Sequence, residues 1–519
     1  MSAAKKIIAS TSGVGGAGEN VEDVFATHIY TGTGSNQTIT NNIDLSGEGG
    51  LVWFKRRNGS HEHGLYDTVR GTGKRLMAEQ DGAQETDNAG LNSFYSNGFR
   101  VNSADDCNGN SDTYVSWTFR KAEKFFDIVT YSSAGTGNSK TVSHNLGQAP
   151  GMILFKEIDG SQEWVVWHTS QSSKFANLSY TSAFTSATVV SSASSTEFVL
   201  ASDRTPTNAG GSVGARTYIA YLFANNSDDG GYGPDADLDI IKCGSFATAG
   251  SGSSLVGPNL GWEPQFVILK NATSNSNGSW WIFDSQRGFY SAGYDSNSGK
   301  THYLRADVAD QEGNFNTNTL NVTSTGFTIP SDAFANGQTF IYMAIRRGPM
   351  AEPTAGTQVF SPISYTSSDG TWSSSRTLES NFPTDLAIIG YRDAADGGTG
   401  RFVDRTRGYA LMLSAHNTNA EQHNANAFED WRQTGTRVTT DEYSKYNAGN
   451  GNDYYIFQFR RAPGFFDIVS YIGNGGTDQT ITHNLRAIPQ LIIGKRRDAG
   501  STDWPVYYGS GLYNVFLSS

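Results

Sequence analysis

The chain has 519 residues with 38 basic and 50 acidic side chains, so its net charge of −12 leaves no surplus of cations for holding a polyphosphate backbone. Its length rules out a single small core and allows three or four ordinary domains. Charged residues make up only 17%, and 59 glycines with abundant Asn, Ser and Thr disfavour helices, while 12% aromatics exclude a disordered tail.

Two cysteines, Cys107 and Cys243, are too few for a disulfide framework or a zinc module. No run of about 18 apolar residues is present, so no membrane-spanning helix is expected, nor any membrane insertion. The opening Met1–Ser10 has only a short apolar run, which predicts synthesis in a cytoplasm without an export signal.

In chain order the text repeats itself, the signature of a repeat architecture. Val24–Lys55 contains IYTGTGSNQTITNNIDLSGEGGLVWFK. Phe125–Lys156 (FFDIVTYSSAGTGNSKTVSHNLGQAPGMILFK) and Phe465–Lys495 (FFDIVSYIGNGGTDQTITHNLRAIPQLIIGK) are nearly the same sentence. Leu238–Lys270 and Val359–Arg392 complete a set of five copies. Their equivalent aromatics, Tyr30, Tyr131, Phe246, Tyr365 and Tyr471, lie 101, 115, 119 and 106 residues apart.

Each copy reads as short strands. A first strand alternates apolar and polar residues (FDIVTY, 126–131), as when one face is buried. A Thr-rich strand follows (QTIT at 37–40 and 479–482), then N-L-x-x-x-P at 145–150, 259–264 and 484–489. Pro ends that loop and leads into an apolar strand (MILFK, FVILK, LIIGK) expected to be buried on both faces. Next come a Trp-bearing strand (163–168, 279–284, 503–508) and D-x-x-R-G at 67–71, 284–288 and 404–408. Units close with YVSWTFRKA, YIAYLFANN, FIYMAIRRG and YIFQFRRA. Only Glu19–Phe25 and Asn424–Gln433 hint at a helical period.

These patterns predict an all-β chain of tandem β-sandwich or jelly-roll-like modules of about 100–120 residues. The divisions expected are an N-terminal arm (1–23), modules at 24–122, 123–226, 237–348 and 357–463, and a partial fifth module at 464–519. Tandem modules of this kind predict a stiff, extended body. Exposed strand edges make a homo-oligomer the expectation.

Several motifs invite a chemical reading. Gly13–Gly18 (GVGGAG) matches G-x-G-x-x-G, but a β-repeat follows at once where a dinucleotide site needs a crossover helix, so a flexible lead-in is expected. His61 and His63 have no third ligand nearby and read as a solvated loop rather than a metal site. His144 and His483 share one repeat position that holds Pro258 in the third copy, so they read as turn or packing residues. Asp67/Arg70, Asp284/Arg287 and Asp404/Arg407 place a carboxylate and a guanidinium three apart. Their recurrence predicts a structural bridge rather than a reactive pair.

Trp164, Trp167, Trp280, Trp281 and Trp504 offer flat faces. Adjacent Trp280 and Trp281 point to opposite sheet faces, which predicts one exposed ring for a glycan or partner contact. Nothing nominates a catalytic residue, a cofactor site, a metal site or a nucleic-acid site, so no enzyme activity is expected. A surface-polysaccharide-degrading enzyme with two distant carboxylates is the less favoured alternative.

The stretches GEGGLVWFKRRNGS, LYDTVRG, SNGFRV and YVSWTFRKAEKFFDIVTY, in that order, resemble a repeated β-domain of tailed-bacteriophage virion structural or tail-fibre-like proteins, especially of marine phages and cyanophages. The resemblance runs from about residue 20 to the end. It implies location in the virion and a tail fibre, appendage or adhesion protein that contacts the host surface. A capsid decoration or knob-like head protein is the alternative. Partners implied are other virion proteins, met through residues 1–23, and a host surface glycan or protein. The second and fifth copies lack D-x-x-R-G, so a role tied to that motif would be missing from both.

Overall fold

The computed structural model describes residues 18–516 apart from 136, 203–204, 209–215, 226–227, 249–254, 289–300, 316–319, 331–336, 368–374, 393–399, 409–410, 424–427, 439–450 and 510. The chain is all-β, 45% strand against 3% helix, in small antiparallel sheets. Glycine-rich turns and β-branched or aromatic strands favour that outcome.

One topology recurs. In the first module the entry strand Phe25–Thr31 and the central strand Gly50–Arg56 flank the closing strand Thr113–Arg120, and Gly64–Asp67 continues the sheet. The second module repeats the order with Phe126–Ser132, Thr217–Ala224, Pro150–Glu157 and Val165–His168. The third uses Ile241–Ala247, Thr339–Arg346, Pro264–Asn271 and Trp280–Asp284. The fourth uses Phe360–Thr366, Asp453–Phe459, Leu386–Tyr391 and Arg401–Asp404. A three-stranded sheet backs each large one, such as Gln37–Thr40, Gly98–Val101 and Leu91–Tyr95 in the first module.

The register is equally constant. The entry aromatics Tyr30, Tyr131, Phe246 and Tyr365 pair with Tyr114, Tyr218, Phe340 and Tyr454 of the closing strands. Each pair stacks, with ring centroids 5.4, 5.3, 5.9 and 5.3 Å apart. Leu51, Met152, Phe266 and Leu386 of the central strands face Asp67, His168, Asp284 and Asp404. Residues at matching register positions can therefore be compared directly.

Period-two alternation sends each closing strand's side chains to two cores. In the first module Tyr114 packs toward the small sheet, while Val115, Trp117 and Phe119 face the other way. That second face meets its counterparts from modules two and three in one continuous apolar core. Phe119 touches all three modules' contributions, with ring centroids 5.6 Å from Phe126, 5.5 Å from Phe223 and 5.8 Å from Phe266. Modules one to three therefore share a centre, and the expected extended row does not describe them. A separate apolar cluster of the fourth module includes Tyr365, Ile389, Trp431 and Tyr454.

Two local expectations are corrected. Val21–Val24 is helical, as the sequence hinted, but Phe428–Arg432 is a strand paired with Gly435–Val438. In the fifth copy, FDIVSY (466–471) and QTIT (479–482) form no strand. Their loop is nonetheless native-like. Asn484 N donates to Asp467 Oδ2 at 2.7 Å, as Asn145 N does to Asp127 Oδ2. Among the described residues no strand lies beside 466–471, whereas in each of modules one to four the entry strand pairs only with the closing strand within its large sheet.

Residues 1–17 of the expected arm, and most of GVGGAG with them, lie outside the described residues. Residues 18–24 are tied down. Glu22 accepts from the backbone amides of Met350 and Ala351 at 3.0–3.1 Å, and Glu19 bridges to Tyr232.

Candidate functional site

The recurring Asp–Arg motifs sit where one module is inserted into the next. In each, Arg Nε donates to Asp Oδ2 at 2.5 Å: Arg70 to Asp67, Arg287 to Asp284, Arg407 to Asp404. The same arginines send Nη2 back to the carbonyls of Leu65, Ile282 and Phe402 at 2.9 Å. Asp Oδ1 caps the turn by accepting the arginine's own amide at 2.8–3.1 Å. All three pairs are buried, Asp284 and Arg287 completely. The void beside the Arg405–Thr406 turn measures about 10 Å³, room for roughly one water and no substrate.

The second carboxylate oxygen is engaged from outside the module. Tyr221 of module two donates its hydroxyl to Asp67 Oδ2 (2.8 Å), and Trp117 of module one donates its indole N–H to Asp284 Oδ2 (3.0 Å). Trp117 also lies 5.4 Å from the Arg287 guanidinium, face-on. Module two has His168 at the aspartate position. Its Nδ1 accepts from Ser170 N, and its Nε2–H donates to Tyr342 O of module three at 3.1 Å. The Asp–Arg pairs thus brace their own turns, and at Asp67 and Asp284 the same carboxylate also reaches a neighbouring module.

Three further contacts complete this joint, and they recur in register. An aromatic N–H enters the neighbour and donates to a hairpin carbonyl: Trp164 to Met77 (2.7 Å), Trp280 to Asn177 (2.8 Å), Trp504 to Ser414 (3.2 Å). His63 takes that position in module one, its Nε2–H meeting Arg305 O at 3.0 Å. A lysine ends the central strand and reaches the carbonyl four residues further along: Lys156 to Asp81 (2.9 Å), Lys55 to Ala309 (3.0 Å), Lys495 to Thr418 (3.2 Å). Lys270 stays within its own module, on Gly278 O. Finally, the amides of Gln84, Phe184, Glu312 and Glu421 donate to the carbonyls of Ile158, Ala272, Arg57 and Arg497 at 2.9–3.1 Å.

These contacts have a direction. Module two inserts into one, three into two, and one into three, so the three joints close a ring. Module five inserts into four by the same joint. Module four itself has Gly390 and Gly400 at the lysine and tryptophan positions, so it offers no plug of its own.

Electrostatics reinforce two of the joints. Glu312 receives Arg57 through two bonds of 2.9 Å, His302 at 3.0 Å and Arg287 at 3.4 Å. Burial alone would raise its carboxyl, but Arg57 and His302 hold it well below the usual range. Glu421 accepts from Arg497 through two bonds of 2.8 Å and from Arg407 at 3.2 Å. Asp404 is likewise held low against the effect of burial, by Arg407 and Thr406. In the joint of module two into one, Gln84 and Ile158 replace the acid and its arginine, and Arg70 Nη1 and Gln84 Oε1 are left buried without a partner.

Burial pulls Lys55, Lys156 and Lys270 down to about 8. A further buried network binds module three to module four: Glu263 joins Arg347 (3.0 Å) and Arg461 (2.9 Å, twice), and both arginines also engage Asp385. Burial draws the adjacent Arg405 down to about 10.

The tryptophan expectation is overturned. Trp280 is 1% and Trp281 6% exposed, because the sheet is covered on both faces. Trp280 faces the neighbouring module, and Trp281 packs on Tyr303 and Phe315 at 4.8 and 5.1 Å. His63 is no solvated loop residue either. It is fully buried, and its Nδ1 accepts from the Trp53 indole at 2.9 Å. His144 and His483 each accept the amide two residues on at 3.2 Å, a turn role. Among the described residues no group of three or more His, Cys, Asp or Glu is placed to hold a metal ion.

What the sequence reading missed was the plug. Its signal was present as a Lys and a Trp at fixed places in the copies, and a Glu seven residues beyond the accepting carbonyl in two of them.

Buried, reciprocal joints between β-sandwich copies define a class, that of repetitive all-β proteins whose chemistry-bearing residues hold modules together. The chain belongs to the family described as a domain of unknown function, DUF7483, whose model matches residues 20–349 and again 355–515. The first match spans the ring of three modules, and the second covers modules four and five. No curated protein matches the chain.

Proposed function

We propose that the protein is a non-enzymatic structural component of a tailed-bacteriophage virion, a tail fibre or appendage that contacts the host surface. The observation that carries this reading is the use of the Asp–Arg pairs: the residues best suited to chemistry are buried at the joints and committed to holding modules together. A closed ring of three β-modules, locked by buried ion pairs, suits a particle exterior that must survive outside a cell. The sequence resemblance of the repeats to phage virion proteins supports the same reading. The protein would work as a homo-oligomer among other virion proteins, with the residues before Gly18 as the attachment arm, since residues 18–23 are packed on the chain's own modules, and would take no cofactor.

Labelling intact particles with an antibody against this chain tests it. Signal on the tail is the expected result. Signal confined to the head would replace the tail assignment with a decoration role, and unlabelled particles would overturn the proposal. Incubating the purified chain with host envelope glycans should release no oligosaccharide. Release would refute the non-enzymatic part.

A further inference from the structure

Each joint has one place where the plug and the receiving hairpin, its socket, meet through the backbone, and the side chains there differ from joint to joint. The carbonyls of Ile158, Ala272, Arg57 and Arg497 accept from the amides of Gln84, Phe184, Glu312 and Glu421. Two of these pairs are neutral, Ile158 with Gln84 and Ala272 with Phe184. The other two are charged: Arg57 gives Glu312 two bonds of 2.9 Å, and Arg497 gives Glu421 two of 2.8 Å. Across the four joints a charged plug meets an acidic socket and an apolar plug an uncharged one. The neutral pairs join modules consecutive in the chain, two into one and three into two. Socket three breaks that order, because it takes module one rather than module four.

Module four is kept out by subtraction. Its Arg392 stands where Arg57 does, each donating its amide to the first residue of its closing strand, Asp453 at 2.7 Å and Thr113 at 2.8 Å. Gly390 and Gly400 replace the lysine and the tryptophan of a plug, however, and a Cβ at 390 would run into the Tyr455 ring. The plugs of modules two and three are kept out by charge. Ile158 or Ala272 in socket three would leave Glu312, whose side chain is 9% exposed, without Arg57. In the opposite error, Arg57 in socket one would meet Arg70 with only Gln84 between them, since the acid at that place in socket three lies 3.4 Å from Arg287, the counterpart of Arg70. In socket two it would be buried against Phe184, which supplies no carboxylate. A charge buried without its partner is costly, so each wrong insertion is penalised and each right one satisfied.

We infer that Arg57 and Glu312 are specificity-determining residues, a matched pair that selects module one as the occupant of socket three and so closes the ring at three modules. The pair acts through the match and not through charge as such. An apolar residue facing a neutral one at this seam should close the ring as Ile158 and Gln84 close the joint of two into one, whereas a charge facing a neutral residue should not. Glutamine at 312 would leave Arg287 with Asp284, the surroundings that Arg70 already has with Asp67 beside Gln84.

Amide exchange in the full chain tests the match. The reporter is residue 312, whose N–H crosses the seam to Arg57 O at 2.9 Å, and the control is residue 421, which makes the same bond to Arg497 O at 3.0 Å. Arg57→Ile alone and Glu312→Gln alone should each lower protection at 312 by about tenfold or more. The double variant should recover to within about threefold of the wild type, with 421 unchanged throughout. Selection is read by refolding from urea at rising protein concentration. The wild type should return the single species it started from in light scattering. The neutral double variant, whose socket three now also accepts the Ile158 or Ala272 plug of a second copy, should return a mixture of sizes. A double variant no better protected than the worse single one would overturn the inference, as would a single variant that keeps wild-type protection. A double variant that refolds as cleanly as the wild type would show a pair that stabilises without selecting, and that result too would overturn it.

Discussion

The sharpest consequence of the ring concerns His168, the residue at the aspartate position in module two. It is completely buried, and burial draws its imidazole down to about 4 from 6.5. The geometry explains the neutral form. Ser170 N–H already points at Nδ1, so a second proton there would face a donor, while Nε2–H is spent on Tyr342 O across the joint. The folded value lies below the unfolded one, so the joint has its full stability above pH 6.5. That stability is lost as pH falls through 6.5 toward 4, because only the unfolded chain takes up the proton. Between pH 7 and 5 the loss from this residue is about 2 kcal/mol, with a slope near pH 5 of about 1.2 kcal/mol per pH unit. Urea unfolding of the wild type and of His168→Gln across pH 5–7.5 measures it. The glutamine amide can still donate to Tyr342 O but does not titrate. Other buried groups titrate too, notably His28 (down to about 4), His63 and Glu79 (up to about 7), but they do so in both proteins. The difference between the two curves isolates His168. Curves that run parallel within about 0.5 kcal/mol over this range would refute the assignment of a buried, neutral histidine to the joint.

Other variants probe the joint's remaining parts. Trp164→Phe keeps an aromatic ring but removes the donor that crosses the joint to Met77 O, leaving that carbonyl only the longer 3.4 Å bond from Gln80 N, so chemical denaturation should show a loss of about 1 kcal/mol. Asp284→Asn takes the nearer of two carboxylates from a completely buried Arg287, leaving it Glu312 at 3.4 Å, with an expected cost of about 3 kcal/mol; replacing Asp284 and Arg287 together by Leu and Met should cost less than that single change. Phe119→Ala opens a hole where three modules meet and should destabilise all three by about 3–5 kcal/mol in one transition, where separate domains would give one shifted transition and two unshifted ones. Both cysteines are buried and their thiols pushed up by that burial, so native protein should react with neither equivalent of a disulfide-exchange reagent until it is unfolded.

How much of this could be read from the text depends on how local each cause is. The all-β character, the strand order within a copy and the Asp–Arg turn are written in short patterns: period-two alternation, N-L-x-x-x-P, and an acid three residues before an arginine that caps its own turn. The ring is not written that way. Trp164 finds a backbone carbonyl at Met77, and a carbonyl acceptor leaves no side-chain signature at residue 77. Trp281 was expected at a surface because alternation gives its direction, yet only the hairpin carrying Tyr303 and Phe315 decides whether that direction ends in solvent. The strongest case is the pair FFDIVTY and FFDIVSY, which differ by one hydroxyl-bearing residue for another. The first forms the strand Phe126–Ser132 against Thr217–Ala224, and the second forms none. A strand's propensity is satisfied only by a partner about 90 residues away, so the same words give structure in one copy and bare apolar surface in the other. What the sequence specifies at 466–472 is a strand pattern, and the distant pairing, not the pattern, decides whether a strand forms.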